Sequence, residues 1–309
     1  KMDNNPVVFG IRVGPNHVLN QANQVEANVK GDFNTDYLLK FDPSLSDLGT
    51  VLKGKSPWLF TVQVPISKNN APAPVFLKAQ SNLVGTELNL PIPLNKALLQ
   101  SKSFELNTQL PSDQGSIEFK IGQEFRLLLN KPVNKPMSGI ALFGIGTQGS
   151  IPASGFSVRG VTDEFDVPGW MMLAAKDAGD GGLQSFDLVV NHLRLLGSDF
   201  GSTRLLLSQQ PNALMIRASG ANFDGSMNIP NAKNAPIIGR FNKVYFKKSI
   251  PVPVIVMAKT APIQPTIKPT DFPALDISIE DLRISNLPLG RAELLTIPTA
   301  QGMQISKLN

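Results

Sequence analysis

The sequence SFDLVVNHLRLLGSDFG, residues 185–201, recurs in pattern 89 positions later as ALDISIEDLRISNLPLG, residues 274–290. At this offset an aspartate, a Leu-Arg pair and the last glycine coincide, and aliphatic or aromatic residues coincide between them. Few letters are identical, so what recurs is an order of apolar, acidic and basic residues. Because such an order is typical of a structural module, the fold is expected to contain repeated units.

Apolar and polar residues alternate along most of the chain. The alternation is clear in residues 25–30, 58–64, 104–110 and 252–256. A period of two is that of a β-strand with one apolar and one polar face. Turn-forming segments such as residues 209–212 separate these runs, and about eighteen strands are expected in all.

Helical spacing is rare and occurs in three segments, residues 34–41, 45–53 and 167–175. Asp166 is suited to cap the third helix, and Pro168 is suited to its first turn. The chain is therefore predicted to be mainly β, with a few short helices.

Both copies of the repeat contain one change of phase. Phe186, Leu188 and Val190 occupy even positions, whereas the apolar residues that follow occupy odd positions, and the second copy shifts in the same way. One extra residue in each strand, at residues 191–192 and 280–281, would keep the apolar side chains on one face, as a β-bulge does. The alternative is that each stretch breaks into two short strands.

Composition limits the possible classes of function. The chain is 42% hydrophobic, which is enough for a core, and it has no cysteine for disulfides or thiolate metal sites. Its net charge of +5 is spread out, and two Trp and two Tyr offer little to stack on bases, so nucleic acid is not an expected partner. No apolar run is long enough to cross a membrane, and KMDNNPVVFGIRV at the start does not resemble a signal peptide. Since strands are expected at both ends, the chain is expected to be part of a longer protein.

Two short motifs match nucleotide-binding patterns, but their surroundings argue against that function. GTVLKGKS, residues 49–56, has the letters of a P-loop, yet a strand is expected to follow it where a P-loop needs a helix. Gly144, Gly146 and Gly149 match GxGxxG, yet a turn and a strand follow them, with no helix to receive a pyrophosphate.

No residues form a recognisable catalytic or metal-binding set. DAGDGG, residues 177–182, places two carboxylates near glycines but lacks the other oxygen ligands of a calcium loop. His17 and His192 are far apart in sequence, and there is no local Ser/His/Asp signature. The sequence therefore predicts no enzyme, no catalytic residue, no cofactor and no metal site.

The apolar faces of so many strands need a cover, which three short helices cannot supply. Two architectures remain. In the first, the sheet packs against a second sheet, as in a structural or adhesive β-sandwich protein. In the second, repeated modules extend one apolar surface, which curves into a groove around a ligand.

Several motifs together resemble the C-terminal part of YhdP-type proteins of the AsmA-like family. They are the recurring Asp, Leu-Arg and Gly pattern, FLKAQSNLVGTELNLPIPLNK at residues 76–96, GFSVRGVTDEFDVPGW at residues 155–170, and FDGSMNIP at residues 223–230. The likeness runs from about residue 31 to the end of the chain. The chain departs from such proteins because it is much shorter and lacks an N-terminal anchor helix.

The resemblance implies an elongated, curved and twisted antiparallel sheet that forms a groove with an apolar interior. Residues 1–309 would be one continuous groove segment. Its first part would be residues 1–150, with short helices near residues 34–53. Residues 151–309 would contain the repeats, with modules near residues 185–230 and 274–309.

The resemblance also implies a function and a location. The chain would be a periplasmic segment of an envelope protein that is anchored in the inner membrane by a helix outside this chain. Its ligand would be phospholipid, which it would pass between the inner and outer membranes. The outer membrane, or a protein in it, would be the second partner, and the family offers no catalytic residues to carry over.

The residues expected to line the groove are apolar residues of the alternating strands and of both copies of the repeat. They are Trp58, Phe60, Val62, Val64, Leu88, Leu90, Phe104, Leu106, Phe119, Phe125, Leu127, Phe186, Leu188, Val190, Leu193, Leu195, Leu205, Leu214, Ile216, Leu275, Ile277, Ile279, Leu282 and Ile284.

Overall fold

A computed structural model gives the fold of most of the chain. It describes residues 6–16, 21–39, 49–66, 74–111, 115–176, 182–232, 235–247, 273–299 and 302–309. Within these residues there are twenty strands and two short helices, and eighteen of the strands belong to one mixed, mostly antiparallel sheet. The prediction of a mainly β protein is confirmed. The predicted strand at residues 252–256 lies outside the described residues.

The described chain divides into two compact units. Unit 1 comprises residues 1–162 and 166–184, and unit 2 comprises residues 163–165 and 185–309.

Ten strands form the sheet of unit 1. They pair in the order β1-β2-β3-β4-β6-β7-β8-β9-β10, with β5 paired to the start of β3, and only the β9–β10 pair is parallel. The strands are β1 (Val7–Asn16), β2 (Gln21–Asn34), β3 (Leu52–Pro65), β4 (Val75–Ser81), β5 (Thr86–Leu88), β6 (Phe104–Leu110), β7 (Ser116–Ile121), β8 (Phe125–Asn130), β9 (Ser138–Phe143) and β10 (Gly155–Thr162).

The helices lie in unit 1 and are α1 (Thr35–Leu39) and α2 (Val167–Lys176). Both agree with predicted helical segments, and the backbone N–H of Gly169 donates to Asp166 Oδ1 at 3.0 Å, as expected of a helix cap. The helix predicted for residues 45–53 is wrong at its end, because Leu52 and Lys53 begin β3, where they pair with β5. Residues 45–48 lie outside the described part.

Unit 2 contains the other strands. They pair in the order β11-β14-β15-β16-β17-β18-β19-β20, and only the β17–β18 pair is parallel. β12 and β13 form a separate small hairpin. The strands are β11 (Leu183–Val190), β12 (Arg194–Leu195), β13 (Ser198–Asp199), β14 (Thr203–Gln210), β15 (Ala213–Gly220), β16 (Phe223–Pro230), β17 (Ile237–Phe246), β18 (Leu275–Ile284), β19 (Leu287–Thr299) and β20 (Gly302–Leu308).

The repeated sequence folds into a repeated pairing pattern. Leu188 pairs with Leu205 in the first copy, and Ile277 pairs with Leu294 in the second, so both partners keep the 89-residue offset. The hairpin after this strand also recurs, because Arg194 lies opposite Asp199 and the equivalent Arg283 lies opposite Pro288. The module is thus a strand, a small hairpin and the two strands that follow.

The predicted β-bulge is present in one copy only. In the second copy β18 is continuous and its register with β19 shifts between Ile279 and Leu282, which confirms the bulge there. In the first copy the prediction is wrong, since β11 ends at Val190, a turn follows and a new strand begins at Arg194. The backbone N–H of His192 donates to the carbonyl of Asp163 at 2.8 Å, a contact that draws this turn out of the strand.

Two pairs of equivalent positions, one within the hairpins and one at or just beyond their ends, have a left-handed backbone. Leu196 and Ser285, which are equivalent, have φ of 51° and 55°. The equivalent Gly201 and Gly290 have φ of 73° and 77°. The final glycine of the repeat is explained by this conformation, which other residues adopt only at a cost.

Candidate apolar binding faces

The pairing registers of unit 1 place most of its apolar residues on one face of the sheet. Residues directly opposite each other on neighbouring strands point to the same face, and alternate residues along a strand do so as well. We call this surface apolar face 1. Its residues include Phe9, Ile11, Val13, Val25, Ala27, Val29, Phe33, Trp58, Phe60, Val62, Val64, Leu77, Ala79, Phe104, Leu106, Ile117, Phe119, Ile121, Phe125, Leu127, Leu129, Ala141, Phe143, Phe156 and Val158.

The reverse face of the same sheet is mixed: Ile140 and Leu142 of β9 are buried there, whereas β4, β6 and β7 carry a network of charges. Glu105 accepts from Lys78 at 2.9 Å and from Lys120 at 3.3 Å, and Lys120 also contacts Glu118. Burial by itself raises the pKa of Glu105, but hydrogen bonds from Asn107 and Lys78 and the charge of Lys78 outweigh it and lower the pKa from 4.5 to about 2. The carboxylate is therefore ionised at neutral pH, and the part of the reverse face around it is polar.

Burial on apolar face 1 changes along the strands. We call the residues at one end of the strands the covered row. It contains Trp58, Ile121, Phe125 and Phe143, which are all buried. Phe60, Leu106, Phe119 and Leu127 in the middle are only partly buried. At the other end, the open row, Val64 and Leu110 are each 39% exposed. An ordinary core would be covered throughout, so this face is a core at one end and an accessible apolar surface at the other.

Residues 82–103 and β5 supply buried groups next to the covered row. Leu83, Leu88 and Leu94 are buried, and Thr86 Oγ1 donates to the buried Ser56 Oγ at 2.8 Å. Lys96 is also buried, and its ammonium group donates to the carbonyls of Thr86 and Ala97. Desolvation lowers the pKa of Lys96.

Aromatic rings strengthen the covered end of apolar face 1. The ring of Trp58 stacks on Phe60 with 5.8 Å between centroids and meets Phe104 edge-on at 5.4 Å. Phe125 and Phe143 are 5.1 Å apart. Such pairs add to the free energy of burial and make this end of the face rigid.

Unit 2 has an apolar face of its own, which the registers define in the same way. We call it apolar face 2, and Leu188 and Ile277 both belong to it, as the sequence predicted. Its residues include Phe186, Leu188, Val190, Leu205, Leu207, Leu214, Ile216, Met227, Phe223, Phe241, Val244, Leu275, Ile277, Ile279, Leu282, Ile284 and Leu294.

The two copies of the repeat differ in burial on apolar face 2. Leu188, Val190 and Leu193 are fully buried in the first copy, where Phe186 also packs against Phe165. Their equivalents in the second copy are only partly buried. Phe200 is 1% exposed whereas the equivalent Leu289 is 48% exposed. The same motif therefore forms a closed core once and an accessible apolar surface once.

The predicted groove residues fall into three groups. Most lie on the two apolar faces. Leu88 lies in β5 and Leu90 in the loop after it, beside the covered row. Leu193 lies just before the small hairpin of unit 2, and Leu195 lies within it. Prediction from sequence missed the contributions of β1, β2, β4, β9, β10, β16, β17 and β19. The alternation in residues 9–13 and 25–29 was a usable signal for β1 and β2, whereas glycines interrupt the pattern in β9, β10, β16 and β17.

The motif residues lie where nucleotide binding is not supported. Lys55 lies within β3, so the P-loop letters form a strand and no helix follows them. Gly144, Gly146 and Gly149 lie in the loop between β9 and the parallel β10, again without a helix. His17 and residues 177–181 lie outside the described residues. His192 Nδ1 is 3.1 Å from Asp199 Oδ2, a contact between exposed side chains of one hairpin.

Within the described ranges there is no group of three or more His, Asp or Glu side chains arranged to hold a metal ion. No helix found there is long and apolar enough to span a membrane.

In a comparison with protein-family models, the model described as YhdP protein matches residues 1–309. No curated protein and no solved structure gives a significant match.

Proposed function

The chain belongs to the YhdP protein family, and from this premise we propose that it is a segment of a bridge-like protein that carries phospholipid across the cell envelope. Acyl chains bind on the partly exposed parts of the two apolar faces. The parent protein is anchored in the inner membrane by a helix outside this chain, and this segment works in the periplasm. The phospholipid passes between the inner membrane and the outer membrane or a protein within it.

The observation that carries the proposal is the accessibility of apolar face 1. Its middle and open rows hold Phe60, Leu106 and Val64 among other large apolar side chains that stay partly exposed in the described chain. Exposed apolar surface of this extent usually marks a binding surface. The charge network lies on the opposite face over β4, β6 and β7, so in this region one face of the sheet is apolar and the other is polar.

The energetics of lipid transfer explain why an apolar surface is sufficient. Moving the two chains of a phospholipid through water exposes about 30 methylene groups at about 0.8 kcal/mol each, a barrier on the order of 20 kcal/mol. Contact with an apolar face removes much of this barrier. Transfer needs no bond to be made or broken, so no catalytic residue is required.

A second candidate is a structural or adhesive β-protein whose apolar faces are only cores. The complete burial of Leu188, Val190 and Leu193 favours it for the first copy of the repeat. The partly exposed residues of the second copy and of apolar face 1 favour lipid binding.

Native mass spectrometry of the purified chain, with lipid extraction from the same sample, tests the proposal. We expect phospholipid to co-purify, and we expect added vesicles to reload chain that has been stripped of lipid. A chain that carries no lipid and accepts none from vesicles would overturn the proposal in favour of the structural protein.

A further inference from the structure

We propose that Lys131 and Lys135 bind the phosphate group of a phospholipid whose acyl chains lie along the strands of apolar face 1. This inference rests on the proposed function and adds to it an orientation of the lipid and a site for its head group. Both lysines lie in the turn between β8 and β9, at the end of the sheet where the open row lies.

The dimensions of apolar face 1 suit one acyl chain laid along a strand. Six residues separate Trp58 in the covered row from Val64 in the open row, which at about 3.3 Å per residue is about 20 Å. One leaflet of a bilayer has a hydrocarbon layer of about 15 Å. An acyl chain laid from Trp58 to Val64 would therefore contact apolar face 1 over most of its length.

The gradient of burial fixes the direction of that chain. The covered row is closed by buried aromatic rings, including Trp58 and Phe143, whereas Val64 and Leu110 in the open row are exposed. A hydrated head group at the covered end would have to be buried among apolar groups, which is costly. The methyl end of the chain therefore faces the covered row, and the head group faces the open row.

The open end of the sheet carries positive charge and no described negative charge. In this rim, formed by residues 13–16, 21–25, 63–66, 74–76, 109–111, 115–117, 129–138 and 151–155, the charged residues are Lys131 and Lys135. Both side chains are exposed, and neither has a carboxylate within ion-pair distance among the described residues. They are available to an anion from outside the chain.

The turn that carries the lysines also presents apolar groups. Val133 is 59% exposed and Met137 is 40% exposed. The backbone N–H of Lys135 donates to the carbonyl of Pro132, and Asn134 has φ of 56°, so the turn has a defined conformation. At this turn the lysines can contact the phosphate of a lipid while the exposed apolar side chains contact the start of its acyl chains.

The test compares two lipids with the same chains. The purified protein is stripped of lipid and incubated with phosphatidylcholine vesicles that contain either dioleoylphosphatidylglycerol or dioleoylglycerol. Native mass spectrometry then counts each bound lipid. For the variant Lys131→Glu/Lys135→Glu we expect bound phosphatidylglycerol to fall about five- to thirtyfold, which is the upper part of the range that two exposed ion pairs supply. Dioleoylglycerol has no phosphate, so its binding should stay within about twofold of wild type.

Lys30→Glu/Arg159→Glu is the matched control, because it makes the same change of charge at exposed positions on the reverse face of the sheet. Circular dichroism and melting check that both variants fold, and Lys131→Gln/Lys135→Gln gives a milder variant if charge reversal unfolds the chain. Inorganic phosphate alone should displace neither lipid at millimolar concentration, since the acyl chains provide most of the affinity.

The outcomes separate this inference from the proposed function. If wild type binds both lipids and the lysine variants bind phosphatidylglycerol normally, or if the control loses as much, the head-group site is wrong while lipid binding stands. If wild type takes up no lipid at all, phosphatidylcholine included, the proposed function itself fails. If phosphate binds wild type without displacing phosphatidylglycerol, and the lysine variants lose only the bound phosphate, the lysines form a site for free phosphate and the head-group site is wrong.

Discussion

At the scale of residues, equivalent positions of the repeat have different environments. Leu188 and Ile277 share a face and a pairing pattern, yet Leu188 is completely buried whereas Ile277 is partly exposed. The sequence indicated the shared face through its period of two. It could not indicate the difference in burial, because that depends on Phe165 and other residues that pack over the first copy.

A carboxylate placed at each position should reveal this difference. We expect Leu188→Asp to unfold unit 2, because burying an unpaired charge costs several kcal/mol, which is a large part of the stability of a domain. We expect Ile277→Asp to leave a folded, soluble chain that retains less phospholipid. Circular dichroism, melting and native mass spectrometry measure the two effects. An Ile277→Asp variant that keeps its full lipid load would show that this residue does not contact lipid.

The aspartates of the repeat show what sequence reasoning could and could not find. Asp187 and Asp276 were recognised as a recurring feature, but their partners were not. In the structure Asp187 binds Arg204 at 2.7 Å, and Asp276 binds Arg240 at 2.9 Å. Arg204 lies on the strand after Asp187, whereas Arg240 lies on the parallel strand before Asp276. No fixed spacing in sequence relates the two pairs.

Glu105 should make the stability of unit 1 depend on pH. Its pKa is depressed from 4.5 to about 2, so the stability it contributes is present above pH 4.5 and is lost as the pH falls towards 2. We expect the urea midpoint of wild type to fall over this window, and Glu105→Gln to make that fall shallower. The exposed Glu87, replaced in the same way, provides the control. Identical pH profiles for wild type and Glu105→Gln would contradict the role of this carboxylate.

At the scale of elements, the strands were predictable and their interruptions were not. Alternation predicted β2, β3 and β6 correctly, because each has one apolar and one polar face. The change of phase in the repeat allowed a bulge or a break, and the structure has one of each. The choice depends on contacts of Asp163 with residues 191–192, which a local pattern does not contain.

The small hairpin of the first copy offers a test of backbone strain. Leu196 has φ of 51° and is 90% exposed, so it bears the cost of a left-handed backbone without gaining from burial. We expect Leu196→Asn to raise the free energy of unfolding by about 0.5–1 kcal/mol, because asparagine tolerates this conformation. Leu196→Val should lower it, since branching at Cβ makes the conformation worse. Urea unfolding measures both, and equal stability of the three chains would show that the hairpin is not strained.

At the scale of the whole molecule, each unit combines a closed core with an accessible apolar surface. Unit 1 makes the change along its strands, from the covered row to the open row. Unit 2 makes it from one copy of the repeat to the next. A sequence-based hydrophobic pattern cannot separate these cases, because a residue that contacts lipid and a residue that contacts a core are chosen for the same property.

The parallel pair β17–β18 bears on how the repeat can be duplicated in evolution. β11 and β14 to β17 alternate in direction, so a further antiparallel strand would start the second copy upside down. Because β18 runs parallel to β17, the second copy begins in the same direction as the first and keeps its apolar side chains on the same side. A parallel pair needs a long connection, and residues 247–274 provide the length. We therefore expect an in-frame tandem duplication of one 89-residue segment to add a copy in the same orientation. Further copies could extend the sheet without a new type of connection between them.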